Sequence, residues 1–195
     1  AIMPQSRGSM AAARILAPEP GERVLDLCAA PGAKTTHLAA LMEGSGEVVA
    51  VERHAGRAES LRHTCARMHA DSVRVEQSDG ALARSDEPYD RVLVDPPCSG
   101  LGTLQSRPDI RWRSSLRSIA TLAAIQTEIL SAGAAATAPG GVLVYSVCTI
   151  SRAEGEGVIG RLLDEHPEFA VEQRVQLMPH VDGTDGFFIA RLRRS

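Results

Sequence analysis

Arg23 to Thr35 reads RVLDLCAAPGAKT, and the order of residue types in it decides the fold. Arg23 to Cys28 is a short apolar run that predicts a buried strand. Ala29 to Lys34 are small or turn-forming, and a helical pattern runs from about Thr35 to Met42. Strand, tight loop and helix in that order open a βαβ unit. The same alternation repeats downstream, with strands predicted at Glu47 to Glu52, Ser72 to Glu76, Arg91 to Val94 and Val142 to Ser146. Helices are predicted at about Ala55 to Met68, Leu116 to Ala136 and Ala153 to Glu165, and Pro139-Gly140-Gly141 turns the chain into the fifth strand. The rhythm then breaks. Ala170 to Leu177 and Phe187 to Leu192 are two β-like stretches around the turn-rich Asp182 to Gly186, with no helix between them, as in an antiparallel hairpin. Upstream, Ser9 is expected to cap a short helix through Leu16, ended by Pro18 and Pro20. The expected architecture is α/β and Rossmann-like: a mostly parallel seven-stranded sheet with an antiparallel C-terminal hairpin and helices on both faces, one domain over residues 1–195.

Composition is consistent with that architecture. The 195 residues are 44% hydrophobic but only 3% aromatic, so one core must rest on Val, Leu, Ile and Ala, as in sheets covered on both faces. No apolar run is read as a membrane span and no signal segment opens the chain, which predicts a cytoplasmic protein without membrane attachment. The first residue is Ala1, not methionine, so a missing upstream segment is expected. Cys28, Cys65, Cys98 and Cys148 form no Cys-x-x-Cys pair, which disfavours a structural metal or a disulfide framework. The net charge of −3 argues against a stand-alone nucleic-acid binder.

In an open parallel sheet, ligands bind beyond the carboxyl ends of the strands, which directs attention to the loop after the first strand. That loop has only Gly32, so it fails the dinucleotide pattern G-x-G-x-x-G. It fails the P-loop too, because Ala33 stands where glycine must precede lysine. Glu52 ends the second strand, 20 residues past Gly32, where an acid can accept both hydroxyls of a ribose. Asp79 follows the third strand and can accept from an adenine amino group. The two acids suit a ligand with an adenosyl end and no polyphosphate.

The fourth and fifth strands end in Asp95-Pro96-Pro97-Cys98 and Ser146-Val147-Cys148-Thr149. Adjacent strands lie about 4.8 Å apart, so if these two are neighbours, Cys98, Cys148 and Asp95 face one pocket. A thiolate adding to carbon 6 of a pyrimidine turns carbon 5 into a nucleophile, and a base must later remove the carbon 5 proton. Two thiols can divide these tasks, with Asp95 against the ring and Lys34 either lowering a thiol or positioning Asp95. Cys28 and Cys65 are read as packing residues.

The segments LDLCAAPGAKT (25–35), VLVDPPCSG (92–100), RPDIRW (107–112), VYSVCT (144–149) and PHVDGTDGFFIAR (179–191) resemble those of the bacterial Sun/Fmu (RsmB-like) RNA cytosine-5 methyltransferases. The resemblance covers nearly the whole chain. It implies a class I S-adenosylmethionine-dependent methyltransferase catalytic domain, with cofactor contacts at Cys28, Ala29, Ala30, Pro31, Gly32, Ala33, Lys34, Glu52, Asp79 and Asp95. It implies that Cys148 is the nucleophile and that Cys98 assists adduct breakdown. The substrate it implies is RNA, foremost ribosomal RNA, with Arg107, Arg111 and Trp112 placed to contact it. The same three residues also fit an ordinary surface loop with an Arg-Asp pair and a half-buried Trp. A monomer without a metal is expected, lacking the RNA-binding extension that precedes the domain in many relatives. Two departures stand out. Ala33 replaces a family glycine, and Arg152-Ala153-Glu154-Gly155 replaces Pro-Glu-Glu-Asn, losing an amide side chain. Arg191, Arg193 and Arg194 are read as a solvated strand end. Rival readings are a non-catalytic cofactor-binding module and a methyltransferase for tRNA or a small molecule.

Overall fold

The computed structural model describes residues 2–82 and 87–195. Helix α1 (Arg7–Leu16) leads into strands β1 (Arg23–Leu27), β2 (Glu47–Glu52), β3 (Val73–Gln77), β4 (Tyr89–Val94), β5 (Thr137–Val147), β6 (Phe169–Leu177) and β7 (Phe187–Arg194). Between them lie α2 (Ala33–Leu41), α3 (Ala55–Met68), the single-turn α4 (Ile110–Arg113), α5 (Leu116–Ala136), α6 (Glu156–Glu165) and the short α7 (Pro179–Asp182). The seven strands form one sheet in the order β3-β2-β1-β4-β5-β7-β6. Strands β1 to β5 run parallel, and β7 lies antiparallel between β5 and β6. The chain winds outward from β1 to β3 and then returns to place β4 on the other side of β1. That reversal opens a crevice beyond the carboxyl ends of β1 and β4.

Both faces of the sheet are covered, which explains why its strands read as near-continuous apolar runs. Because side chains alternate across a strand, Leu25, Leu27, Val92, Val94, Leu143, Tyr145 and Val147 pack toward α5 and α6. Val24, Val48, Leu93, Val142 and Val144 pack toward α1 and α2. The same parity sends Asp26, Asp95 and Ser146 to the α2 side at the carboxyl ends of their strands.

Several boundaries differ from the sequence reading, each for a local reason. The cap of α1 is Ser6, whose hydroxyl accepts from the Ser9 amide at 3.2 Å; Ser9 is the capped residue. Strand β5 begins at Thr137, because Pro139-Gly140-Gly141 sits in a register shift of the β4–β5 pair. Helix α6 starts at Glu156, and α7 occupies part of the stretch expected to hold only turns. Arg191, Arg193 and Arg194 are ties, not a solvated end. Arg191 donates to the carbonyls of Ile15 and Leu16 at the end of α1 and meets Glu172 at 2.7 Å, while Arg193 shares Glu172 and Arg194 donates to the Thr137 carbonyl. Orphan carbonyls at a helix end are natural acceptors for a cation. Helix α5, contrary to the expectation of no spanning run, is long and apolar enough to cross a membrane by length and composition. It buries Ala123, Gln126, Ile129, Leu130, Gly133 and Ala134 against the sheet, as a core helix does.

One carboxyl is sealed inside this framework. Asp26 is fully buried; its Oδ2 accepts from Thr35 Oγ1 at 2.7 Å, and among the described residues its Oδ1 has no partner. Burial pushes its carboxyl up to about 7, against the lowering effect of the Thr35 bond. A carboxyl raised on folding stabilises most at low pH, and that stabilisation fades as pH climbs toward the folded value. Between pH 4 and 7, urea denaturation should therefore show wild type losing up to about 4 kcal/mol relative to Asp26→Asn. Parallel pH profiles for the two proteins would contradict this account.

Candidate active site

The carboxyl ends of β1, β4 and β5 supply the core of the site, and the parallel register keeps those ends level: Leu27 pairs with Val94 and Val94 with Tyr145. Asp95, one residue past β4, is clamped from both neighbours. Lys34 Nζ, in the first turn of α2, lies 2.6 Å from Asp95 Oδ2, and Ser146 Oγ donates to Asp95 Oδ1 at 2.9 Å. Burial works against the Lys34 ammonium, but the charge and hydrogen bond of Asp95 outweigh it and hold Lys34 above the usual lysine range.

Beyond the clamp, Cys98 Sγ and Cys148 Sγ lie 3.3 Å apart. The pair is unsymmetrical. Contact with Cys148, and then burial, hold the Cys98 thiol well above the ordinary range. The same contact lowers Cys148 against the opposing effect of burial, and Lys34 pulls Cys148 further down. Cys148 is therefore the sulfur that carries negative charge more readily.

A cavity of about 740 Å³ opens next to the thiols and runs across the ends of β1, β2 and β4, lined by Cys28, Pro31, Glu52, Asp79, Asp95 and Cys98 among others. Glu52 is buried; it accepts from the His54 amide at 2.9 Å and pairs with Arg57 at 3.3 Å. Asp79 caps the Ala81 amide at 3.1 Å and faces Arg53 at 3.4 Å. Burial and then the surrounding acids push the Cys28 thiol up to about 12, so Cys28 lines the cavity as a neutral group. The volume is that of a pocket for a cofactor-sized ligand.

Residues 13–193 match the family described as 16S rRNA methyltransferase RsmB/F. The chain belongs to that family. It is 40% identical over 202 residues to a protein of Synechocystis named "Probable ribosomal RNA small subunit methyltransferase B", covering 94% of this chain and 45% of that one. It is also 36% identical to the human tRNA (cytosine(72)-C(5))-methyltransferase NSUN6, over 84% of this chain and 37% of that one. The crystal structure of NSun6 from Pyrococcus horikoshii with SFG superimposes with a TM-score of 0.91 at 32% identity, over 98% of this chain and 52% of that one. The chain spans about half the length of the curated relatives it matches.

Proteins of the RsmB/F family use S-adenosylmethionine, and the cavity fits its chemistry. A buried carboxylate at the end of β2 and a second acid after β3 offer acceptors to hydroxyl and amino groups, while Val51, Ala81 and Ile129 give apolar walls. Of the segment expected along the cofactor, Cys28, Ala30 and Pro31 line the cavity. Ala29 is buried behind them, and Gly32 packs so closely that a Cβ there would come 2.7 Å from Leu61 Cδ1. Lys34 reaches the site through Asp95.

The altered Arg152-to-Gly155 segment does not leave the RsmB/F pocket unsupported. Glu154 is fully buried, and its carboxyl accepts from the Ser99 amide at 2.8 Å, from Gln126 Nε2 at 3.0 Å and from Thr149 Oγ1 at 3.2 Å. Tyr145 OH donates to Gln126 Oε1 and to the Glu154 carbonyl. The sequence reading missed this group. Its one visible signal is Gln126, an amide in the buried stripe of an apolar helix. Gly102 was missed as well: its amide donates to the Cys148 carbonyl at 3.0 Å, and its carbonyl accepts from the Gly186 amide at 2.8 Å. A Cβ on Gly102 would sit 1.9 Å from the Gly186 oxygen, so only glycine fits.

Arg107 stands at the cavity lip together with Ile110 and Arg113, whereas Arg111 and Trp112 lie outside the cavity lining. Trp112 is 84% exposed, not half-buried, and the Arg-Asp pair of the loop is Arg113 with Asp109 at 3.5 Å.

The other departure is settled by backbone geometry. Gly32 has φ 105° and takes the left-handed position, while Ala33 begins α2 with φ negative. Ala33→Gly should therefore lower stability by about 0.5–1 kcal/mol and not relieve strain, as read from the urea midpoint. An increase in stability would place Ala33 in a strained conformation.

Proposed function

We propose that this chain catalyses methylation of carbon 5 of cytosine in RNA, with small-subunit ribosomal RNA as the substrate, through a covalent adduct at carbon 6. The observation that carries this reading is the 3.3 Å thiol pair beside a clamped Asp95. Bound S-adenosylmethionine supplies the electrophilic methyl group. Glu52 accepts its ribose hydroxyls, Asp79 its adenine amino group, and Cys28 to Lys34 with Asp95 border the rest.

Cys148, the more readily ionised thiol, adds to carbon 6 of a flipped-out or single-stranded cytosine. Asp95, held by Lys34 and Ser146, is fixed against the ring nitrogen edge, and the Lys34 ammonium behind it offsets negative charge as it moves onto the ring. Once Cys148 is bonded to carbon its sulfur no longer carries charge, so the interaction that raised Cys98 disappears. Cys98 can then lose its proton to solvent, take the carbon 5 proton and allow Cys148 to depart. Arg107 meets backbone phosphate at the lip, and Arg111 with the exposed Trp112 ring holds flanking nucleotides. The reading takes the chain as a monomeric catalytic domain working in the cytoplasm, with RNA-binding segments outside residues 1–195.

Incubation with 5-fluorocytidine RNA and cofactor should trap an adduct on Cys148; an adduct on Cys98 alone would overturn the assignment. Cys98→Ala should accumulate a covalent RNA complex, and normal turnover by that variant would refute its role in release. Bisulfite sequencing after incubation with total RNA should show new 5-methylcytosine in small-subunit ribosomal RNA. Modification confined to tRNA would move the substrate to the class on which the human relative acts. Cofactor binding by calorimetry with no methylated RNA would favour the non-catalytic module.

A further inference from the structure

We propose that Glu154 is a positioning residue that holds the two thiol loops in register, an inference that rests on the thiol roles given above. The loops after β4 and β5 leave the sheet independently, so strand pairing alone does not fix the distance between their sulfurs. Glu154 joins them on the α5 side. Its Oε1 takes the amide of Ser99, the residue after Cys98, and its Oε2 takes the hydroxyl of Thr149, the residue after Cys148. Ser99 Oγ and Thr149 Oγ1 also meet directly at 2.9 Å. Gln126 completes the clasp: Nε2 donates both to Glu154 and, at 2.9 Å, to the carbonyl of Pro97, the residue before Cys98. Cys98 is thereby held on both sides in sequence and Cys148 on one.

A carboxyl at this depth is costly unless every oxygen is satisfied. Among the described residues no Lys, Arg or His pairs with Glu154, and its donors come from the thiol loops and from Gln126. A side chain needed only to fill the space between β5 and α5 would be apolar, as Val147 and Ile159 are. The chemical identity of Glu154 is instead matched to the two loops it joins.

The test compares Glu154→Leu, which keeps bulk and removes every acceptor, with Glu154→Gln, which keeps the acceptor for Ser99 and Gln126. Circular dichroism and calorimetric S-adenosylmethionine binding establish that each variant is folded with an intact cofactor site. Iodoacetamide labelling of Cys148 across pH, read by peptide mass spectrometry, reports the thiol pair without any RNA. In Glu154→Leu the Cys148 profile should move to higher pH, and adduct formation with 5-fluorocytidine RNA should fall roughly 10- to 100-fold, with cofactor affinity unchanged. Glu154→Gln should restore most of both. A folded Glu154→Leu with the wild-type labelling profile and adduct rate would overturn the proposal. Should Glu154→Leu fail to fold, Thr149→Val, which removes the Thr149 hydroxyl that joins the Cys148 loop to Glu154 and to Ser99 while leaving Glu154 bonded to the Ser99 amide and Gln126, must shift the labelling profile in the same direction, and an unchanged profile overturns it. Because labelling involves no RNA, the two failures are distinguishable: a wild-type protein that forms no adduct sinks the catalytic reading, whereas an unshifted Cys148 labelling profile sinks the role of Glu154.

Discussion

The parallel register of β4 against β5 is the constraint on which the site depends. Pairing Val94 with Tyr145 makes the two strands end level, so the residues just beyond them emerge side by side at the sheet spacing. Slip one strand by a single residue and every side chain on it changes face. Asp95 would leave Lys34, and Ser146 would leave Asp95. The apolar residues of both strands oppose such a slip, because each face is buried under its own helices. Packing deep in the sheet thus sets chemistry at its edge.

The pleat also divides the polar groups into two sets. On the α2 side, Asp26, Asp95 and Ser146 converge with Lys34 and Thr35. On the α5 side, Tyr145, Gln126 and Glu154 form a network with the thiol loops. The acids at these positions meet different fates for identifiable reasons. Asp95 has a cation at 2.6 Å. Among the described residues Asp26 has one hydroxyl partner and an oxygen with none, and burial dominates its titration. Glu154 is satisfied by neutral donors alone. The thiols lie between the two sets, and the difference between them follows first from their mutual contact, which lowers Cys148 and raises Cys98, with the Lys34 charge adding to the lowering of Cys148.

Charge is distributed less evenly than the net value of −3 suggests. Between positions 107 and 117 there are four arginines, Arg107, Arg111, Arg113 and Arg117, against the single acid Asp109. All four are exposed, and Arg107 and Arg113 line the cavity. An overall charge sums over the whole surface, whereas a polyanion responds to the local field at the mouth it enters. The acidic balance therefore counts against a non-specific nucleic-acid coat, but not against an RNA substrate at this lip.

Much of the chain was legible in its residues. The apolar runs and small-residue loop from Arg23 to Thr35, the βαβ spacing, the acids closing β2 and following β3, and the two cysteines after β4 and β5 all follow from local chemistry: strands must be apolar to be buried, and tight loops need small side chains. Five segments in order were enough to indicate the family. What the sequence could not disclose was anything that depends on which non-adjacent residues meet. Glu154 reads as a surface acid until it is seen between Ser99 and Thr149, and Gln126 as a flaw in an apolar helix until Pro97 and Tyr145 stand opposite it. Arg191 looks like a solvated strand end until α1 presents its carbonyls. Identity and periodicity are properties of one segment, and the sequence determines them alone. Distance between segments, and with it hydrogen bonding, burial and the unequal charge of two like thiols, exists only once the sheet has closed, and the tertiary structure alone decides it.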